Sequence, residues 1–147
     1  MTYSRRDLSL LIPALLGAAQ ADGQTDKQNN VLPSKCYTFD SLPVKANPQT
    51  HSVSRQVFDG YTHSGVHIDM HITTLPPGGS PHPPHQHVHE EMMMIQEGTV
   101  ELTISGQASR IGPGGVAYVH SNDLHGLKNV GDGPAQYFVL AIGQHQA

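Results

Sequence analysis

Short runs of alternating apolar and polar residues, cut every few positions by glycine and proline, constrain this chain more than any other feature. Strand-like segments fall at 52–58, 66–75, 91–97, 99–105, 108–111, 116–119, 126–130 and 136–142. Turn-forming residues separate them: Asp59-Gly60, 76–79, Glu97-Gly98, Ser105-Gly106, 112–115, Asn122-Asp123 and 131–134. No stretch of any length carries a helical period. Many short strands joined by such turns pack as a sandwich or close as a barrel. There is no internal repeat, so the expectation is one all-β domain.

Within this pattern, residues 79–98 concentrate the chemistry. His82, His85, His87 and His89 precede Glu90 and Glu91. On an extended chain, His85 and His87 point to one face, and Glu91 keeps that parity. Two imidazoles and a carboxylate so arranged cover one side of a borderline divalent ion. His89 shares the parity and is expected at the rim; Glu90 is expected to point the opposite way. Glu91, Met93 and Ile95 fall on one face, where Met93 and Ile95 would line an apolar cavity, and Met92 and Met94 fall on the other. The methionines read as packing residues.

Gly79, His85, His87, Glu91 and Gly98 fill every fixed position of G-x5-H-x-H-x3-E-x6-G, and this segment resembles the first motif of the cupin family. A second cupin motif resembles Pro113-Gly114-Gly115, the strand 116–119, and then His125 to Asn129. Gly115 stands where the family usually has Asp, and His120-Ser121 replaces a proline-rich turn. The resemblance spans roughly 51–142 and implies a single cupin-type antiparallel β-barrel of jelly-roll form. It implies one divalent transition metal ion (Mn, Fe, Ni, Cu, Co or Zn) held by His85, His87, Glu91 and His125. Such a site leaves one or two coordination positions for water or substrate.

Before the barrel, residues 1–21 read as an export signal. Arg5-Arg6 precedes an apolar run too short to span a membrane, and Ala19-Gln20-Ala21 has the small-x-small form of a cleavage site. The paired arginines resemble a twin-arginine signal, which predicts an exported, periplasmic or extracellular protein without a stable membrane anchor. Residues 22–50 read as a linker and N-terminal arm, able to add an edge strand or cross to a partner, and 51–147 as the barrel. A homodimer is expected from the exposed edges and the arm. Cys36 is the single cysteine; it forms no intramolecular disulfide and is expected to be partly buried.

Eight basic against twelve acidic residues argue against a nucleic-acid partner, whose backbone calls for a basic face. A small-molecule ligand or substrate is the expected partner. Residues 66–73 alternate cleanly, with His67, Asp69, His71 and Thr73 on one face and Val66, Ile68, Met70 and Ile72 on the other. This reads as a strand with one wet face; the sharper alternative brings His67, Asp69 or His71 to the cavity or to a partner subunit. Tyr118 and His120 are candidate proton donors at the cavity mouth.

Two function classes follow. One is a metal-dependent small-molecule enzyme of oxidoreductase or dioxygenase type. The other is a non-enzymatic module that binds a small molecule or metal in the cell envelope. Arg55, Arg110 and Lys128 are the only basic residues in the barrel segment, and the parity of Lys128 turns it away from the metal. A neutral or aromatic substrate is therefore expected over a small acid.

Overall fold

The computed structural model describes residues 30–143; the export segment expected at 1–21 lies outside them. Nine strands follow one another: β1 (Val44–Ala46), β2 (Val53–Tyr61), β3 (His67–Leu75), β4 (Glu90–Glu97), β5 (Val100–Ile104), β6 (Gln107–Ile111), β7 (Val116–Val119), β8 (His125–Asn129) and β9 (Ala135–Ile142). They form a six-stranded sheet in the order β1-β2-β3-β9-β4-β7 and a three-stranded sheet in the order β6-β5-β8. Every pairing between strands is antiparallel. The architecture is the expected jelly roll, two sheets wrapped around a shared interior. Among the described residues, the one helical element is a single 3-10 turn, Phe39–Ser41, and no helix is long and apolar enough to cross a membrane.

Alternation puts one face of each sheet inward. Leu75, Met93, Ile95, Val119 and Val139 from the larger sheet meet Val100, Leu102 and Leu127 from the smaller in one buried cluster. Each such side chain, fully buried, stabilises the fold by roughly 1.5–3 kcal/mol. Met93 and Ile95 are therefore inward, as their parity requires. The glycine that ends the first motif has a steric role. Gly98 adopts φ +78°, and a Cβ there would lie 2.6 Å from the Pro134 carbonyl oxygen and 2.7 Å from Ala135 Cα, so no side chain fits. Ser105-Gly106 turns β5 into β6 with both residues at positive φ, the geometry that matches strand twist in a two-residue hairpin.

Three features differ from expectation. Asp59-Gly60 is not a turn: both residues continue β2, paired with Asp69 and Ile68. A register shift between Gln56 and Phe58 absorbs an extra residue and lets the strand run on, and the chain reverses at 62–65, where Gly65 takes φ +82°. Cys36 is exposed rather than partly buried, because the arm around it lies on the surface. The polar face of β3 is not turned to solvent at its centre. His71 and Thr73 face the interior cavity, while Met70 and Ile72 line an outer groove with Tyr37, Phe39 and Leu42 of the arm. The arm supplies apolar cover for the sheet's outside, which frees the inside to be polar. It then adds β1 to the sheet edge.

Candidate metal centre

Local backbone pairing makes the centre. His85 and His125 exchange hydrogen bonds, N–H to carbonyl oxygen, at 2.9 Å in each direction. This two-residue antiparallel bridge fastens the segment before β4 to the first residue of β8. The Asn122 N–H donates to the His87 carbonyl at 2.8 Å, and Asn122 takes φ 64°, a conformation Asn tolerates well. Glu91 sits in β4 opposite Val119 and Ala141, pointing to the same interior as the three imidazoles.

Candidate ligand atoms of His85, His87 and His125 lie within 4.8 Å of one another. Glu91 completes the cluster: its Oε1 is 3.1 Å from His87 Nε2 and its Oε2 is 3.4 Å from His125 Nε2. Second bonds fix the tautomers of two rings. His87 Nδ1 donates to the His89 carbonyl at 2.8 Å, and His125 Nδ1 donates to the Asp123 carbonyl at 2.9 Å. Each ring is thereby turned with its Nε2 aimed inward, free to serve as the ligand atom in the neutral form. His85 Nδ1, His87 Nε2 and His125 Nε2 are buried without a hydrogen-bond partner, an arrangement that costs free energy unless something else pairs with those nitrogens. Burial, followed by His82, His125 and His87 nearby, pushes the His85 pKa down to about 4, so this ring is neutral at ordinary pH. Three imidazoles and one carboxylate are a donor set for a first-row transition ion, and the buried cluster fits such an ion.

His89 is more than a rim residue. Its ring stacks on that of His87 at 3.6 Å between centroids and 11° between planes, and its Nε2 is 3.4 Å from Glu91 Oε1. Burial, and then the proximity of His87, lowers its pKa. Its odd parity was the available signal. His82 packs edge-on against His85 at 4.1 Å and reaches the cavity. Glu90 points away from Glu91 and pairs with Tyr118 on the outer face, where it raises the phenol pKa. Tyr118 and His120 are both exposed, and neither lines the cavity beside the centre.

That cavity has a volume of about 400 Å³, within the roughly 300–1,000 Å³ usual for small-molecule sites. Beside Glu91 and His125 its wall is apolar, from Met93, Leu127 and Val139. Its other wall is polar. There His71 Nδ1 lies 3.3 Å from Asp69 Oδ1, while Asp69 Oδ2 accepts from Gln56 Nε2 at 2.7 Å. Burial opposes ionisation of Asp69, but the bonds from His71 and Gln56 outweigh it and hold the pKa below the usual value. An ionised acceptor on Nδ1 leaves His71 Nε2 as the basic nitrogen. Sequence reasoning allowed for His71 at the cavity but missed Lys45, which reaches the same space from β1. Its position in a proline-broken arm gave no signal.

Residues 71–142 match the family model of the Cupin domain. The fold is that of a cupin. Solved structures superpose on most of the chain. The cupin domain of Cnp3 from Schizosaccharomyces pombe has a TM-score of 0.63 at 15% identity, covering 74% of each chain. KdgF from a Halomonas species gives 0.64 at 13% identity, covering 78% of this chain and 97% of its own. A predicted oxalate decarboxylase from Thermotoga maritima gives 0.62 at 17% identity, covering 75% of this chain and all of its own. At such identities the likeness concerns the cupin fold alone. No curated protein sequence matches the chain.

Proposed function

We propose that this cupin is a metal-dependent enzyme acting on a small molecule, of the oxidoreductase class and dioxygenase type. The observation that carries the reading is the convergence of three buried, unpartnered ring nitrogens with Glu91 beside a ligand-sized cavity. His85, His87, Glu91 and His125 would hold the ion. When bound, a first-row ion there supplies Lewis acidity or, for redox-active metals, electron transfer to dioxygen.

The chain's own residues do the rest. Met93, Leu127 and Val139 exclude water from the side of the cavity nearest the cluster. His71, held by Asp69, presents its Nε2 as the group that takes or returns a proton. His89 braces the Glu91 carboxylate and the ring plane of His87. Protein loaded separately with Fe, Mn, Ni, Cu and Co is expected to consume oxygen with at least one member of a panel of catechols, flavonols and small acids. Tight binding of one panel compound without turnover under any metal would instead favour a binding module.

A homodimer is part of the same proposal. Met94 and Val116 pair across β4 and β7, and Tyr118 pairs beside them, leaving 38%, 57% and 51% of these residues exposed. An apolar stripe of this kind on a sheet's outer face is suited to burial against a second copy. Light scattering coupled to size exclusion should give twice the chain mass, and Val116→Glu should shift it to the monomer; a monomeric wild type at high concentration contradicts the proposal.

A further inference from the structure

The structure assigns the cavity to a small carboxylate whose free anionic end is held by Lys45. The assignment rests on the metal reading for the other end of the ligand, and it deepens that reading by naming the substrate class.

The argument begins with register. Lys45 pairs with Ser54 across β1 and β2, and Ser54 with Thr73 across β2 and β3. Paired residues in antiparallel strands project to the same face, and Ser54 and Thr73 both line the cavity. Lys45 therefore stands on the cavity side of the sheet, at the exposed rim that its edge strand forms. Among the described residues no carboxylate lies within ion-pair distance of its ammonium.

Charge then selects the ligand. Apart from imidazoles and the Tyr137 phenol, the ionisable groups lining the cavity are Lys45 and Glu91, and the Asp69 carboxylate stands beside His71 and Gln56 of the same wall. A divalent ion on the imidazoles and Glu91 keeps one positive charge, the ammonium adds a second, and the Asp69 carboxylate, already bonded by His71 and Gln56, offsets one. A cavity left with a net positive charge favours an anion. Neutral polar groups set the rest of the recognition. The Asn47 amide oxygen caps the turn at Gln49 and Thr50, which leaves its NH2 as a donor. The Gln56 NH2 is taken by Asp69 and by the Phe58 and Met70 carbonyls, which leaves its oxygen as an acceptor. Arg55, Arg110 and Lys128 of the barrel segment do not line the cavity, and the cation that their scarcity left wanting comes from the arm as Lys45.

The test is calorimetric titration of linear dicarboxylates from succinate to suberate, with the matching diols as neutral controls, into Zn-loaded full-length protein. Metal content is measured on the same samples. At least one dicarboxylate should bind tenfold or more tighter than its diol. Lys45→Gln should remove that preference, Lys45→Arg should keep most of it, and neither should alter the metal content. Equal binding of acids and diols, or an unchanged preference in Lys45→Gln, overturns the assignment and leaves Lys45 as a guard of the sheet edge only. Wild type that retains no zinc overturns the metal reading instead, and the same titrations on that metal-free protein show whether Lys45 still selects acids over diols.

Discussion

Glu91→Ala should leave the protein folded and without its metal. The carboxylate is the one anionic group among the four candidate ligands, and it lies within 3.4 Å of Nε2 of both His87 and His125. Loss of an outer partner of a metal ligand typically costs about 10–100-fold in affinity, and removal of a direct charged ligand should cost more. After incubation with excess metal and desalting, elemental analysis should find the ion in wild type and at most a trace in the variant. Stability offers a second readout. At a hundredfold excess of metal over its Kd, binding contributes about 2.7 kcal/mol, worth on the order of 10 °C in Tm for a domain of this size. That shift should vanish in Glu91→Ala, and His87→Ala should behave alike. Full occupancy in the variant lacking both side chains would remove the proposed ligand set.

Asn129→Leu should cost about 3 kcal/mol or more of folding stability, through groups far in sequence from the metal ligands of β4. Asn129 is fully buried. Its NH2 donates to the carbonyls of Leu75, Pro76 and Gly133 at 3.2, 3.0 and 2.9 Å, and its Oδ1 accepts from the Gly131 N–H at 3.0 Å. One side chain thus ties the loop leaving β3 to the loop entering β9. Leucine is nearly isosteric and would leave buried backbone groups without partners, at roughly 1–3 kcal/mol for each that water cannot reach. Asn129→Asp is expected to be worse, because it sets a carboxylate against three carbonyl oxygens. Urea titration gives the difference directly, and a loss below about 1 kcal/mol would show that water replaces the amide. The terminal Asn of the second motif is thereby explained as a structural tie.

The sequence legible at close range was reliable. Strand positions followed from period-2 alternation and from turn residues, because both depend on the backbone within a few residues. The shared direction of His85, His87 and Glu91 followed for the same reason, as did the outward turn of Glu90 and Lys128. Where a bulge intervened, at Gln56–Phe58, the local reading failed: one extra residue moved the end of β2 past Asp59-Gly60.

Alternation also left a question that no local rule answers, namely which face of a strand is the inside. For β3 the polar face with His71 and Thr73 turned in and the apolar face turned out, because the arm brought Tyr37, Phe39 and Leu42 to cover it. The same arm delivered Lys45 to the cavity, and β7 carried Tyr118 to the outer surface. His125 reached His85 only through a reciprocal pair of backbone bonds spanning forty residues of chain. The sequence by itself determined the strands, their turns and the mutual parity of the early ligands, since dihedral preferences and side-chain direction are properties of neighbouring residues. Tertiary structure alone decided what faces the cavity, because inside and outside exist only once distant segments have packed.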